Sequence, residues 1–326
     1  MMIEYLNIEL KYNLLKLESF ISNQNLYFDE NIDLALVIKE NNEIVACACK
    51  KDNIFKMIAV ADNYQSNNYV STLISELINK GYQEGYNQFF IYTKLIYEDI
   101  FSSFGFKKIV SYQEIGFFEK AVVSFDEYYL KYQNNYHNKG CIVMNANPFT
   151  LGHYYLVKKA LEKVDYLYVF VVEEDKSYFD FKTRFNLVKK ALSNLENVKV
   201  IPSGPYIISQ ATFPTYFLKS LDKASEYYAN IDSLLFIKIM NLLNINYRFV
   251  GSEPLDKLTN YYNQVLHHNL KDKLIIIDRK SINNNIVSAS LIRKLLLNKK
   301  YDDIKELVKE ELYHDIITYV KEHDRE

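Results

Sequence analysis

The sequence has no tryptophan, only three cysteines among 326 residues, no apolar run long enough to span a bilayer, and a formal charge of just −2. Each scarcity closes off a class of protein. Three cysteines cannot form a disulfide framework. Cys47 and Cys49, in EIVACACK, fall two apart on one face of an expected strand, which reads as packed thiols in a reducing compartment rather than a metal pair. Glu4, Glu9 and Lys11 interrupt the N-terminal MMIEYLNIELKYNLL, so neither a membrane span nor a signal peptide is expected, and the cytoplasm is the expected location. With 39 basic residues against 41 acidic ones there is no overall positive field for DNA or RNA. Nucleic acid and membrane are therefore not expected partners, whereas a small nucleotide is compatible with this balance.

What is present is apolar content of 49% in a chain long enough for two domains. LALVIKENNEIVACAC at 34–49 reads as strand, Asn-rich turn, strand, and IFKMIAV at 54–60 as a third strand of an antiparallel meander. Val70, Leu73, Ile74, Leu77 and Ile78 recur at helical spacing, with Gly81 as the expected stop. A strand at 89–93, a short helix near 97–101 and a strand beginning in FGFKKIV complete an α+β unit. The polar stretch YYLKYQNNYHNKG ends abruptly at CIVMN, which places the boundary near residue 135 and gives domains 1–135 and 136–326. Beyond it, strands at 141–145, 166–172 and 198–202 alternate with helices at 152–162 and 180–193. NYRFVGSEP and KLIIIDR supply later strands, and SASLIRKLLLNKKYDDIKELV begins a helical tail. Near-continuous apolar strands joined by helices predict a parallel, Rossmann-like sheet covered on both faces, with functional groups at the carboxyl ends of its strands.

In MNANPFTLGH, the residues Asn147, Phe149, Thr150, Gly152 and His153 fall where the first of these strands meets a helix. Free N–H groups and the positive dipole end of that helix favour an anion. Gly152 allows close approach, Thr150 caps or donates, and His153 donates to a phosphoryl oxygen. A plain capped helix with a packed histidine is the alternative. In IVSASLIRKLL, Ser288 caps a second helix, and Ser290 and Arg293 share one face, a set suited to the β- and γ-phosphates and to departing pyrophosphate. An amphipathic helix with an exposed arginine is the bland reading of that stretch.

TLGH followed by VSASLIR resembles the paired motif of the nucleotidylyltransferase superfamily. MNANPFTLGHYYLVKKA, VVEEDKSYFDFKTRFNLVK, PSGPYIISQATFPTYFLK, RFVGSEP and TNYYNQ together resemble the citrate lyase ligase family across most of residues 141–293. That resemblance implies acetylation of the thiol on the prosthetic group of the citrate lyase acyl-carrier subunit, driven by ATP and Mg²⁺ with acetate as acyl donor. It implies catalytic roles for Thr150, His153 and Arg293, and nucleotide contacts from Asn147, Phe149, Gly152, Ser288 and Ser290. Gly251, Ser252 and Glu253 resemble the loop beside the nucleotide base or ribose, or are a strand-terminating turn. Lys182 and Arg184 either neutralise phosphate or lie on a solvated helix face. Tyr206, Ser209, Thr212 and Phe213 either surround a small acyl group or thiol arm or plug the core, and Asn260, Tyr261 and Asn263 offer polar donors. No metal site is expected among the side chains, since the adjacent His267 and His268 face differently on a helix.

Residues 1–130 resemble the GNAT acetyltransferase fold. DNYQSNNYVSTL stands where that fold has Q-x-x-G-x-G: Gln65 is present, but Ser66, Asn67 and Asn68 replace small residues. Asparagine tolerates a left-handed backbone yet keeps a side chain where a phosphate would approach, so a scaffold or carrier-docking role is expected there. Two other functions fit the motifs: nucleotidyl transfer to a phosphorylated small molecule, and nucleotide sensing without catalysis.

Overall fold

A computed structural model describes residues 2–65, 67–173, 177–207, 216, 223–252, 257–278, 281–282 and 285–323. The chain separates into two compact units. Residues 1–128 group with Tyr216 and residues 223–235, and residues from Tyr129 onward group with the remainder of the chain. A single boundary near residue 135 does not anticipate the return of 223–235 to the first unit. Its cause is side-chain pairing: the Tyr112 hydroxyl donates to Glu226 at 2.8 Å, and the Tyr227 hydroxyl donates to Gln113 at 2.9 Å.

The first unit is one seven-stranded sheet in the order β1-β2-β3-β4-β5-β7-β6. Its strands are β1 (Ile3–Tyr5), β2 (Leu34–Glu40), β3 (Glu43–Lys51), β4 (Ile54–Val60), β5 (Gln88–Lys94), β6 (Lys107–Tyr112) and β7 (Ile115–Ala121), with helices α1 (Lys11–Asn23), α2 (Tyr69–Gln83), α3 (Glu98–Ser103) and α4 (Phe125–Leu130). The expected meander is β2-β3-β4, antiparallel throughout, and β4 and β5 form the one parallel pair. Gly81 does not stop α2, which continues to Gln83. Its buried Cα packs so closely on Phe89 that an added Cβ would lie 2.2 Å from the ring, so it is a packing glycine.

The second unit holds a five-stranded, all-parallel sheet in the order β10-β9-β8-β11-β12. In chain order it runs β8 (Lys139–Met144), α5 (Leu151–Leu161), β9 (Tyr166–Val171), α6 (Phe181–Ala191), β10 (Val198–Pro202), residues 236–243 of α7 (Ala224–Leu243), β11 (Tyr247–Gly251), α8 (Lys257–Leu270) and β12 (Leu274–Ile277). The hairpin β13 (Ser281–Ile282) and β14 (Asn285–Ile286), then α9 (Ala289–Leu297) and α10 (Glu310–His323), complete it. Residues two apart on a strand share a face. Ile142 and Met144, with Leu167, Val169 and Val171, accordingly pack under the apolar stripes of α5, α6, α9 and α10. The opposite face carries Phe170, with Phe236 of α7 at 5.6 Å and Tyr129 at 6.4 Å between ring centroids. Both faces are covered, which explains why these strands are apolar without alternation. From β8 the chain builds outward through β9 and β10 on one side and later through β11 and β12 on the other. The order therefore reverses between β8 and β11, where a crevice forms at the carboxyl ends of the strands.

Candidate nucleotide site

That crevice is a cavity of about 530 Å³, and both sequence motifs line it. After β8, Thr150 takes the extended backbone of an N-cap, and its Oγ1 accepts the N–H of His153 at 3.2 Å. His153 Nδ1 in turn accepts the Thr150 N–H at 3.0 Å, closing a reciprocal capping box in which histidine plays the part usually taken by glutamate. An Nδ1 that accepts puts the proton of the neutral ring on Nε2, so the ring bordering the cavity is a donor. Phe149 is fully buried, with its ring centroid 5.5 Å from that of His153, and fixes the imidazole from behind. It is thus a support for His153 and does not itself border the cavity.

The second motif arrives by a backbone approach. A Cβ on Gly152 would lie 2.8 Å from the Val287 carbonyl oxygen, so the start of α5 and the residue preceding the α9 cap meet at a distance only glycine permits. Gly152 therefore clears space for chain as well as bordering the cavity. Ser288 Oγ caps α9 by accepting the Leu291 N–H at 3.2 Å and lies 3.0 Å from Ser290 Oγ. Arg293 Nη1 donates to the Asn147 carbonyl at 2.6 Å, while Asn147 Oδ1 accepts the Phe179 N–H at 3.1 Å. Two helix starts, the hydroxyls of Thr150, Ser288 and Ser290, an imidazole and a guanidinium thus border one space. That combination suits a polyanion.

Other expected residues lie elsewhere. Arg184 is completely buried, and its guanidinium donates to the carbonyls of Phe179, Asn145 and Val172 and to Asn145 Oδ1 at 2.7–3.0 Å. It braces the exit of β8 and does not border the cavity. Lys182 is exposed on α6 and does not border the cavity. Tyr206 is buried against Tyr129 with ring centroids 5.9 Å apart, which is the core reading of that residue. Ser252 gives its N–H to Ile277 at 2.9 Å, tying the loop after β11 to the end of β12, whereas Gly251 does border the cavity. Tyr261 is exposed on α8, Asn263 is half-buried there, and neither borders the cavity. Glu253, Ser209, Thr212 and Phe213, and the side chain of Asn260, lie outside the described residues. Sequence reading missed Asn145, Tyr155 and Asp278, all of which border the cavity. Asn145 and Asp278 directly follow strand ends, and position after a parallel strand was the signal available for them.

A profile of the citrate lyase ligase C-terminal domain matches residues 139–316, more than half of the chain. A citrate (pro-3S)-lyase ligase from Haemophilus influenzae is 35% identical over 90% of this chain and 91% of its own length. Its counterpart from Escherichia coli K12 is 32% identical over 95% and 92%. This chain belongs to the citrate lyase ligase family. The matched residues contain the parallel sheet and the residues bordering its cavity, together with 223–235 of the first unit. A GNAT-family structure from Desulfovibrio desulfuricans also aligns, covering 37% of this chain and 99% of that one at 13% identity, with a TM-score of 0.31.

Proposed function

We propose that this chain activates acetate with ATP and transfers the acetyl group to the thiol of a citrate lyase acyl-carrier subunit. The observation that carries the reading is the meeting of Gly152 with Val287, which gives both helix starts a single cavity in a member of this family. An acetate oxygen attacks the α-phosphorus of ATP, the bond from that phosphorus to the bridging oxygen breaks, and pyrophosphate leaves. His153 Nε2–H, Arg293 and the Ser288 and Ser290 hydroxyls stabilise the charge that moves onto the leaving group. Acetate is ionised near neutrality, so His153 serves as a donor and no general base is required. The carrier thiol then attacks the carbonyl carbon of acetyl-adenylate, AMP departs with the carboxyl oxygen, and the thiol proton passes to solvent.

The acylated sulfur is the carrier's. Cys47, Cys49 and Cys141 are all buried, and burial pushes the Cys141 thiol up to about 12 against the opposing charge of Arg248. Mg²⁺ enters this reading only as a companion of the nucleotide. Among the described residues no group of three or more His, Cys, Asp or Glu side chains is placed to hold a metal ion, so no protein cage is assigned and no step depends on one. No helix among the described residues is long and apolar enough to cross a membrane, and the proposed reaction belongs in the cytoplasm with the carrier. The first unit is assigned to scaffolding or carrier docking.

Incubation with ATP, Mg²⁺, acetate and the thiol-bearing carrier tests the reading by following AMP and thioester together. Acetate-dependent AMP release with equal thioester is expected. Nucleotide incorporated into a phosphorylated acceptor, or ATP binding without turnover, would replace this reading with nucleotidyl transfer or sensing.

A further inference from the structure

The residues bordering the cavity divide by hydrogen-bonding character as well as by charge. The donors His153, Arg293, Ser288 and Ser290 cluster where α5 and α9 begin. Asp278 is the one acidic residue among the described residues bordering the space. It directly follows β12, two strands along from β8 in the order β8-β11-β12, which places it about 10 Å from the β8 exit at ordinary strand spacing. The Ser252 N–H bond to the Ile277 carbonyl closes the rim immediately before it, and Gly251 stands opposite Ile277 in the sheet register. Asp278 is exposed, and among the described residues no side chain pairs with it.

An ionised carboxylate only accepts hydrogen bonds. Ionised phosphates also only accept, so the triphosphate offers Asp278 nothing. The parts of a purine nucleotide that do donate are the ribose hydroxyls and the exocyclic amine. The ribose follows the phosphates covalently, and its paired hydroxyls match the two oxygens of one carboxylate. The amine lies beyond the sugar. In dinucleotide-binding parallel sheets a carboxylate set apart from the phosphate-binding helix start takes the ribose 2′-hydroxyl in the same way.

We infer that Asp278 accepts hydrogen bonds from the ribose hydroxyls of the nucleotide and sets a preference for ribonucleotides over deoxyribonucleotides. The inference rests on the reading of this cavity as the ATP site. Equilibrium binding to the full chain, measured by titration calorimetry without acetate, tests it with four probes: ATP, 2′-deoxy-ATP, 3′-deoxy-ATP and the triphosphate of purine riboside, which lacks the amine. Wild type is expected to bind at least one deoxy analogue about ten- to a hundredfold more weakly than ATP. Asp278→Ala is expected to weaken ATP by a similar factor and to bind ATP and that analogue within about threefold of each other, because removing either partner of one bond removes the same coupling. Asp278→Asn, whose amide keeps one acceptor oxygen, falls between them. Inorganic pyrophosphate, with no hydroxyl, is expected to bind wild type and both variants alike, which separates loss of a contact from loss of the fold.

Unchanged ribose preference in Asp278→Ala would overturn the inference. So would a loss confined to discrimination against the purine riboside analogue, which would reassign Asp278 to the base, or an equal loss for pyrophosphate. Ribose discrimination that depends on Asp278 in a protein showing no acetate-dependent AMP release would uphold the inference and overturn the proposed reaction.

Discussion

Each unit of this chain starts a helix beside a cavity, and the two starts are made from different materials. In the second unit, α5 begins with Thr150 and His153 satisfying each other's backbone N–H groups, and Gly152 lies one residue inside the helix. In the first unit, α2 begins at Asn68, which sits in the left-handed region at φ +54° and makes no side-chain cap. Nearby Tyr64 and Tyr69 stack at 6.3 Å, and a cavity of about 470 Å³ is bordered by Asp62 and Gln65. Both helices carry the same dipole. The difference is in how the start is built: a reciprocal Thr150–His153 cap and glycine clearance at α5, an uncapped, left-handed Asn68 at α2. On the proposed reading a helix start becomes an anion site through its cap and clearance, and among the described residues α5 has both while α2 has neither.

The strongest way to break that contrast is His153→Ala. If Nε2–H meets charge developing on the leaving group, kcat falls by about 10²-fold or more. The same substitution removes half of a capping box and costs about 1 kcal/mol of stability. His153→Asn keeps an acceptor for the Thr150 N–H, so it should recover most of the unfolding free energy and none of the turnover. Near-wild-type kcat in either variant would place the α5 start on the same footing as α2.

Gly152→Ala is the next largest. The new Cβ must push against a backbone oxygen, so the starts of α5 and α9 separate, with a loss of about 1–3 kcal/mol in denaturant unfolding and about tenfold in turnover. An alanine variant equal to wild type in both measurements would mean that the two helix starts need no close approach.

The residues that could be read in advance explain which parts of the molecule were legible. Alternation and apolar runs in β2, β3, β4, β8 and β9 announced strands, because each strand packs in a fixed period against a covered face. Thr150, Gly152, His153, Ser288, Ser290 and Arg293 were legible as two local motifs, since each cap needs partners within three residues. That they share one cavity was carried by a contact between Gly152 and Val287, 135 positions apart, which no local spacing encodes. Arg184 misled for a related reason: an arginine on a helix in a phosphate-binding domain suggests phosphate, yet its position faces the β8 exit, where carbonyl oxygens needed donors. The return of 223–235 to the first unit was hidden because its partners, Tyr112 and Gln113, lie more than a hundred residues earlier. That return also makes deletion of residues 1–130 a poor probe of the first unit, since it would strip Glu226 and Tyr227 of those partners.

Arg184→Met sharpens the comparison from the structural side. Methionine fills much of the volume but leaves the Phe179, Asn145 and Val172 carbonyls without this donor inside the fold, at a cost of about 3 kcal/mol in equilibrium unfolding. KM for ATP should rise less than in an Arg293→Ala enzyme, because Arg184 acts on the cavity only through Asn145 and through Phe179, which holds Asn147. A larger rise in KM for Arg184→Met than for Arg293→Ala would restore Arg184 as a phosphate contact.

The smallest effect is expected at Asn68, and it bears on the contrast most directly. Glycine adopts φ +54° freely but gains entropy in the unfolded chain, so Asn68→Gly should change stability by no more than about 0.5 kcal/mol, whereas Asn68→Ala should lose about 1 kcal/mol to left-handed strain. Neither substitution touches the cavity that holds Thr150 and His153, so both should leave acetate-dependent AMP release at the wild-type rate. Glycine at this position would also remove the exposed Asn68 side chain from the α2 start. If a cap and glycine clearance decide whether a helix start binds an anion, removing this side chain alone creates no site, and calorimetry with acetyl-CoA should show no gain in binding for Asn68→Gly over wild type. Tight acetyl-CoA binding by that variant would mean that a single side chain, rather than the missing cap and clearance, separates the first unit from an anion site.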